Sequence, residues 1–229
     1  MSNIAIITAR GGSKRIPRKN IKDFCGRPII AYSIEAALKS ELFDEVMVST
    51  DDEEIAEIAR KNGASVPFMR DAATSNDFAS TCEVCLEVLK KYKSLGKKFN
   101  LLGCIYPTAP FVTSEKLIEA VNILKKSAAY EVVPVVRFSF PPQRAYVIDD
   151  GKLSYKWEEF RMSRSQDLEP FYHDAGQFYI YNVEQFLIGN GVIRENIAPI
   201  IMNESEVQDI DNYEDWKIAE MKYKMLLQG

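Results

Sequence analysis

The sequence predicts an α/β fold, a Rossmann-like three-layer α/β/α arrangement around a mixed, mostly parallel sheet. Short β-type runs, such as residues 4–8 and 101–106, alternate with stretches whose apolar residues recur at helical spacing. The length of 229 residues and the hydrophobic content of 46% suffice for one sizeable core. Because there is no repeat, low-complexity tract or linker, we expect residues 1–229 to form a single domain.

The individual elements follow from periodicity and from turn residues. Strands are predicted at 4–8, 46–50, 66–69, 101–106, 132–136, 177–181 and 197–202. Helices are predicted after Pro28, before Gly63, over 81–95, around 117–124, after 181 and over 216–227. Pro134 cannot donate a backbone hydrogen bond, so it predicts that its strand is an edge strand or contains a bulge.

The regular alternation stops between residues 137 and 172. A hairpin is predicted there, with arms at 145–148 and 152–155 around the turn Asp149-Asp150-Gly151. Residues 137–172 are therefore expected to form an inserted arm that packs against something outside the main layers.

Composition excludes several classes of function. The net charge of -4 argues against a general nucleic-acid binder, which needs a broad basic face. No apolar run approaches the length of a membrane span, and the start of the chain lacks a basic segment and a cleavage site, so we expect a cytoplasmic protein without a membrane partner. Cys82 and Cys85 form a C-x-x-C within a helical pattern, and without a second cysteine pair they are interpreted as small buried apolar residues.

The loop after the first strand predicts a triphosphate site. Six basic residues and no acidic one lie between Arg10 and Lys22. Gly11 and Gly12 allow a ligand to approach the backbone, while Ser13 offers a hydroxyl group. The spacing matches neither a Walker loop nor a dinucleotide fingerprint. A cationic loop in an acidic protein suits a small anionic ligand.

Several stretches carry a resemblance that runs through the chain in order. They are A-R-G-G-S-K-R-I-P-R-K-N at 9–20, V-S-T-D-D at 48–52, P-F-M-R at 67–70, S-N-D at 75–77, Y-P-T-A-P at 106–110 and V-Q-D-I-D at 207–211. In this the chain resembles the CMP-sugar synthetases, which activate sialic acids and related acidic sugars. The resemblance implies a GT-A-like nucleotidyltransferase fold, CTP and an acidic sugar as substrates, and a homodimer formed through the arm at 137–172.

The resemblance also implies functions for particular residues. Arg10 and Lys19 would be catalytic, and Arg10, Ser13 and Lys19 would hold the triphosphate. Asn20 would lie near the nucleotide sugar and Arg70 near the cytidine. The complete set expected to bind CTP is Ala9, Arg10, Gly11, Gly12, Ser13, Lys19, Asn20, Arg70 and Asp77.

Asp209 and Asp211 form the candidate metal site. In an extended segment, residues two apart point to one side, and two carboxylates suit Mg²⁺ while leaving positions for phosphate oxygens. Alone, this pattern is more often a solvated surface feature. It follows a β-type segment, however, and it falls where the family has its I-D-I-D metal motif, with Gln208 at the first of those positions. We therefore expect Mg²⁺ as the cofactor.

The sugar site is expected in the second half of the chain. The stretches at 141–145, 164–167 and 172–179 resemble the pseudaminic acid branch of the family. Tyr106 stands where the sialic acid enzymes usually have glutamine, which disfavours N-acetylneuraminic acid. The residues predicted to contact the sugar are Tyr106, Gln143, Arg144, Arg164, Gln166, His173, Gln177 and Tyr179.

The sequence is compatible with two other functions. A CMP-sialate or CMP-legionaminate synthetase is the main rival, and a nucleotide-binding regulator without turnover is a rival of another class. The sequence identifies no general base. His173 is the sole histidine, and we interpret it as a structural or sugar-contacting residue.

Overall fold

A seven-stranded mixed sheet organises the chain in the computed structural model, which describes residues 2–228. Its strands are β1 (Asn3–Thr8), β4 (Glu45–Ser49), β5 (Leu101–Ile105), β6 (Glu131–Arg137), β9 (Tyr172–Asp174), β10 (Phe178–Asn182) and β11 (Ile197–Ile201). Two short hairpins lie outside it, β2 (Asp23–Phe24) with β3 (Arg27–Pro28) and β7 (Tyr146–Asp149) with β8 (Lys152–Tyr155). The sheet order is β11-β6-β10-β5-β1-β4, and β9 pairs with β6.

Residues 2–228 contain six α-helices. They are α1 (Ile30–Lys39), α2 (Glu53–Lys61), α3 (Thr81–Ser94), α4 (Ser114–Ser127), α5 (Val183–Ile188) and α6 (Tyr213–Leu226). Of these, α1 to α5 cover the two faces of the sheet, while α6 packs in a separate cluster with the hairpin of β2 and β3. Ala5 and Ile7 of β1 belong to the core that contains α1, α2 and α4, whereas Ile4 and Ile6 belong to the core that contains α3 and α5. A strand buried on both faces reads as a continuous apolar run, which is why residues 4–8 were recognisable. The predicted three layers are confirmed.

The prediction of a mostly parallel sheet is wrong. Among the described strands, β1 runs parallel to β4 and β5, and β11 runs parallel to β6. Three further pairs are antiparallel, namely β10 with β5, β10 with β6 and β6 with β9. The sheet is therefore evenly mixed, because the chain returns from the segment at 137–172 into the middle of the sheet.

Two strand predictions also fail at prolines. Residues 66–69 form no strand, since pairing beyond β4 is limited to one bridge between Met47 and Ser65, and Pro67 cannot extend it. Pro134 lies in an interior strand rather than an edge strand. Its carbonyl accepts a hydrogen bond of 2.9 Å from the amide of Ala175, at the place where β6 changes partner from β10 to β9. The missing donor of Pro134 therefore faces an existing gap in the ladder.

The segment at 137–172 projects from the sheet. Its predicted hairpin is confirmed as β7 and β8, joined by Asp150 and Gly151 with φ angles of 46° and 72°, as a type I′ turn requires. Many of its apolar side chains are exposed to solvent. They include Phe140, Tyr146, Val147, Ile148, Leu153, Trp157 and Met162.

Candidate active site

The phosphate loop follows β1 and is held at the edge of the sheet where the parallel strands end. The amide of Ala9 donates to the carbonyl of Ser49 at 2.9 Å, which ties the start of the loop to the end of β4. The amide of Gly11 donates to Asp51 Oδ1 at 2.8 Å. A Cβ atom at Gly11 would lie 2.8 Å from Asp52 Oδ2. A larger residue at this position would therefore displace the Asp52 side chain even without a ligand.

A cleft of ≈ 180 Å³ opens between this loop and two distant segments. It is lined by Thr8, Arg10, Ser13, Lys14, Arg15, Ile16, Lys19, Asn20, Pro107, Thr108 and Asp211. The predicted triphosphate residues Arg10, Ser13 and Lys19 thus share one cavity with the predicted metal ligand Asp211. Folding brings together segments that are nearly the whole chain length apart.

Lys19 connects the loop to the aspartate pair. Its Nζ donates to the carbonyl of Ile210 at 2.6 Å, between Asp209 and Asp211. Burial lowers the pKa of Lys19, and the two aspartates oppose that shift. Partial desolvation raises the pKa of Asp209, with a further increase from the negative charge of Asp211. The site therefore combines crowded carboxylates with a partly desolvated ammonium group.

The aspartate pair has the donor chemistry that suits Mg²⁺. Magnesium in proteins is commonly held by one or two carboxylates, with substrate phosphates and water completing its coordination. Within residues 2–228 there is no group of three or more histidine, cysteine or acidic residues placed to hold a metal ion. Asp209 and Asp211 would therefore need oxygen ligands from a phosphate and from water.

Most cations of the loop are paired with carboxylates. Arg10 and Lys14 both contact Asp77, at 2.5 Å each. Arg15 lies 2.8 Å from Asp211 Oδ1. These groups are substantially exposed, and exposed ion pairs contribute little to stability. A triphosphate, with several negative charges, would displace such pairs readily.

Arg18 has a different environment. Its guanidinium group contacts both oxygens of Asp52 and also Glu54. Hydrogen bonds from Arg18 hold the pKa of Asp52 below its usual value. Asp52 also caps α2 by accepting from the amide of Ile55 at 3.1 Å. Arg18 therefore stabilises the loop against α2 rather than offering a charge to the cleft.

Asn20 and Arg70, both predicted to bind nucleotide, are buried and hold backbone in place. The side-chain amide of Asn20 donates to the backbone carbonyl of Arg10 at 2.8 Å. Arg70 is 8% exposed, and its guanidinium group donates to the Ser49 hydroxyl at 3.0 Å and to the Ser49 carbonyl. Both residues fix the backbone that surrounds the cleft, and their contact with a nucleotide stays a prediction.

The predicted sugar residues fall into separate places within one chain. Tyr106 and Tyr179 form an edge-to-face pair with centroids 5.7 Å apart. They share a second cavity, of ≈ 430 Å³, with Ser80, Thr81, Cys82, Cys85, Cys104, Asp174, Tyr181 and Phe186. Gln166 lines another cavity, beside Phe138 and Ser139. His173 packs its ring against Phe138, with centroids 4.9 Å apart.

The two arginines of the sugar set lie in the projecting segment and contact only neighbours there. Arg144 donates to the Ser165 hydroxyl at 3.3 Å. Arg164 pairs with Asp167 at 2.7 Å and is well exposed. The Arg164 guanidinium group is accessible to another molecule, whereas Arg144 is half-buried.

Gln143 and Gln177 do not present their amide nitrogens to a ligand. Gln143 Nε2 donates to the Glu169 carbonyl and Gln177 Nε2 to the Glu206 carbonyl, each at 2.8 Å. Gln177 is only 1% exposed. Its hydrogen bond connects the start of β10 to the segment before Asp209, and the contact of Gln177 with a sugar stays a prediction.

The structure adds residues that the sequence argument did not assign to the site. Thr8, Lys14, Arg15 and Thr108 line the cleft, and Asp51 binds the loop amide. Lys14 and Arg15 belong to the basic run, and Asp51 and Thr108 belong to stretches that follow strands. The convergence of strand ends at one edge of a parallel sheet was the available signal for Asp51 and Thr108.

The fold and the cleft together define a class of protein. A phosphate-sized cationic cleft lies at the carboxyl ends of parallel strands in a three-layer α/β/α fold, which is where nucleotides bind in such proteins. No described helix is long and apolar enough to cross a membrane. The class is that of nucleotide-dependent α/β enzymes.

Comparison with known proteins gives the family. Residues 4–213 match the Cytidylyltransferase family. The chain is 40% identical to the pseudaminic acid cytidylyltransferase of Campylobacter jejuni over 226 residues, covering 98% of this chain and 97% of that protein. It is 35% identical to the CMP-N,N'-diacetyllegionaminic acid synthase of Legionella pneumophila, with 96% and 95% covered. The chain belongs to the cytidylyltransferase family and is a nucleotidyltransferase.

A solved structure agrees with this assignment at the level of the fold. The structure of a CMP:2-keto-3-deoxy-manno-octonic acid synthetase, complexed with CTP, superposes with a TM-score of 0.72 at 16% identity and covers all of both chains. The α/β fold with a mixed central sheet is thereby confirmed.

Proposed function

We propose that this enzyme transfers CMP from CTP to the anomeric hydroxyl of a nine-carbon acidic sugar and releases pyrophosphate. The observation that carries the proposal is the cleft shared by Arg10, Ser13, Lys19 and Asp211. The family membership gives the type of reaction, and the relatives from Campylobacter and Legionella act on acidic sugars of this class by their names.

The residues of the cleft would act mainly by electrostatics and positioning. Arg10 would bind phosphate oxygens with its planar guanidinium group once Asp77 is displaced. Lys19 would place a positive charge beside the transferring phosphoryl group, in a partly desolvated position where the charge is weakly screened. Asp209 and Asp211 would hold Mg²⁺, which supplies neutralisation of phosphate charge when bound. Holding two anionic substrates together accounts for much of the remaining rate enhancement.

Pseudaminic acid is the sugar that we propose first. The Campylobacter jejuni relative, which is 40% identical, is named as a pseudaminic acid cytidylyltransferase. In addition, Tyr106 stands where the sialic acid enzymes usually have glutamine. The 35% identity to the Legionella synthase makes N,N'-diacetyllegionaminic acid the principal alternative, ahead of N-acetylneuraminic acid. The name of that relative's product specifies acetylated amino groups, and we propose that the substrate of this enzyme also carries acylamino groups.

A homodimer is part of the proposal. The hairpin of β7 and β8 exposes Tyr146, Ile148 and Leu153, and exposed apolar patches of this kind commonly mark interfaces between proteins. Arg144 and Arg164 lie in the same segment, and we propose that in the dimer they reach the cleft of the second subunit. This would complete a sugar site whose predicted residues are dispersed within one chain. We also propose that the enzyme works in the cytoplasm, where CTP is available.

One assay tests the reaction and its sugar. The protein is incubated with CTP, Mg²⁺ and separately with pseudaminic, legionaminic and N-acetylneuraminic acid, and pyrophosphate release is measured. Turnover with pseudaminic acid above the other two supports the first choice. A preference for another acid moves the assignment to that sugar, whereas CTP binding without turnover on any of them would indicate a regulator.

Substitutions separate the two halves of the proposed site. Arg144→Ala should raise KM for the sugar and leave the affinity for CTP unchanged, because Arg144 lies outside the triphosphate cleft. Equal losses for both substrates would contradict its assignment to the sugar.

A further inference from the structure

A groove with an apolar floor and a rim of lysines lies between the end of α3 and the start of α5, away from the candidate active site. Its volume is ≈ 640 Å³, within the about 300 to 1,000 Å³ of typical ligand pockets. The floor consists of side chains that are buried in the core around α3 and α5, namely Leu89, Phe99 and Val183. Leu187 extends this floor to the surface, where it is 45% exposed.

The rim of the groove carries an excess of positive charge in an acidic protein. Its charged residues are one acid and four lysines, namely Glu184, Lys90, Lys93, Lys97 and Lys98. Within residues 2–228, only Lys97 among these lysines forms an ion pair, with Glu45 at 3.0 Å. The other three lysines are exposed. Their ammonium groups are therefore accessible to the carboxylates of another molecule, although the protein as a whole has a net charge of -4.

The groove lies at the edge of the sheet opposite to the nucleotide cleft. Asn100, in the groove wall, comes directly before β5, whereas Pro107, in the cleft wall, comes after it. The five residues of β5 separate the two sites by roughly 17 Å. Glu131 pairs with Tyr181 at the same edge as the groove, so β6 runs from this edge toward the projecting segment at 137–172. A molecule in the groove would leave both the cleft and the projecting hairpin free.

Shape and charge together indicate which kind of molecule fits the groove. A flat lipid surface would reach the exposed lysines but not the floor, because Leu89, Phe99 and Val183 are buried below them. A simple anion would use the lysines and leave the floor empty. A protein segment with an apolar side chain between carboxylates satisfies both parts, since apolar side chains anchor interfaces and complementary charges orient them. Further apolar side chains beside the groove, at Leu95 and Ile188, are exposed, as is common on surfaces that contact other proteins.

We infer that the groove between α3 and α5 is a docking site for an acidic segment of another protein. Carboxylates of the segment would pair with Lys90, Lys93 and Lys98, and an apolar side chain would enter the floor beside Leu187. The inference goes beyond the proposed function, because it concerns a surface that takes no part in the transfer of CMP. Docking there would hold the enzyme beside another protein while its cleft stays open to both substrates.

A peptide selection on the folded enzyme tests the docking site directly. Random peptides displayed on phage are selected on the immobilised full-length protein, and the enriched sequences are then made as fluorescent peptides. The enriched sequences should combine aspartate or glutamate with leucine, phenylalanine or another large apolar residue. Their affinity, measured by fluorescence anisotropy, should fall as salt is added, because salt screens the attraction between exposed charges.

Substitutions at the rim and the floor locate the bound peptide. Lys93→Glu with Lys98→Glu should weaken peptide binding by about 10-fold or more, since two attractive contacts become repulsive. Leu187→Asp should weaken it as well, because the floor would lose its exposed apolar side chain. Both variants should keep the kcat, the KM values and the Tm of the wild type, since these side chains are exposed and lie outside the cleft.

Lys125→Glu with Lys126→Glu is the matched control for the lysine variant. It changes the net charge by the same amount, and both lysines are exposed in the last turn of α4. That helix belongs to the core on the other face of the sheet. The control should therefore bind the selected peptides with the affinity of the wild type.

The outcomes distinguish a docking site from other uses of the surface. Acidic peptides that bind the wild type and the control, but bind both groove variants more weakly, establish the site. The inference is overturned if no peptide is enriched, if the enriched peptides lack acidic residues, or if the control loses as much affinity as the lysine variant. Sedimentation of the enzyme with phosphatidylglycerol vesicles, lost in the lysine variant and without any enriched peptide, would make the surface a membrane site and would also overturn it. The turnover of CTP with an acidic sugar bears on the proposed function alone.

Discussion

Adding one methyl group at Gly11 should destabilise the protein, while the same change at Gly12 should not. A Cβ atom at Gly11 would lie 2.8 Å from Asp52 Oδ2 and 3.0 Å from Asp52 Cβ, whereas nothing lies within 4 Å of one at Gly12. Asp52 cannot move without losing its cap on α2 and its contacts with Arg18. The pair of variants therefore separates a structural requirement for glycine from a requirement imposed by the ligand.

The size of the effect follows from what Asp52 would lose. Loss of a helix N-cap costs about 0.5 to 2 kcal/mol, and the partly exposed ion pair with Arg18 adds at most about 1 kcal/mol. Gly11→Ala should therefore reduce the free energy of unfolding by about 0.5 to 3 kcal/mol. For a chain of this size that lowers Tm by roughly 1 to 12 °C. Gly12→Ala should stay within about 0.5 kcal/mol of the wild type.

Urea unfolding followed by circular dichroism measures both variants, with stability read from the midpoint at constant slope. The Asp52→Gly background provides the decisive comparison, because glycine keeps most of the capping ability and removes the clashing atoms. There, Gly11→Ala should cost little. An equal loss in both backgrounds, or an equal loss at Gly12, would refute the explanation. Weaker CTP binding by Gly12→Ala, at unchanged stability, would support close approach of the triphosphate.

Other predictions address the site, the arm and a buried acid. Lys19→Met should lower kcat by about 10² to 10³, the range for one lost electrostatic stabiliser, with Tm retained; near-normal turnover would place the reaction elsewhere. Asp211→Asn should raise the Mg²⁺ concentration needed for half-maximal rate, measured by titration with Mg²⁺. Ile148→Asp with Leu153→Asp should yield a monomer by light scattering if the exposed hairpin forms the interface. Burial raises the pKa of Glu131, so the native state binds its proton more tightly and wild-type stability falls as pH rises through that pKa. Glu131→Gln should therefore have a higher Tm than the wild type at pH 8 and a similar one at pH 4.

The first strand, the cationic loop and the hairpin could be predicted because each depends on residues that are close together in sequence. The buried first strand and the basic loop are consecutive in sequence, so the cationic cleft could be anticipated from residues 9–20. Asp211 was placed beside Lys19 by family resemblance, and the structure brings both to one cleft. The hairpin of β7 and β8 could be predicted from Asp150 and Gly151, because few residues adopt positive φ.

Features that depend on the order of strands in the sheet, such as the partners of β6 and the burial of Gln177, could not be predicted from local sequence. A proline within a strand indicates only that one donor is missing, and the sequence does not show that β6 has different partners in its two halves. Gln177 illustrates the same limit. Glutamine is usually exposed, but this one is buried at the start of β10, where its side chain donates to the carbonyl of Glu206. The dispersal of Gln166, Arg164 and Tyr179 likewise reflects the path of the projecting segment.

The change of partner at Pro134 has a consequence for how this architecture tolerates variation. Since β6 pairs with β10 in its first half and with β9 in its second half, a longer, shorter or differently shaped excursion could be substituted between β6 and β9 while the pairs of β10 with β5 and β6 stay intact. The nucleotide-binding half would then keep its geometry while the excursion is exchanged. Grafting the corresponding segment of a related synthetase at this junction is a practical route to enzymes that activate other acids.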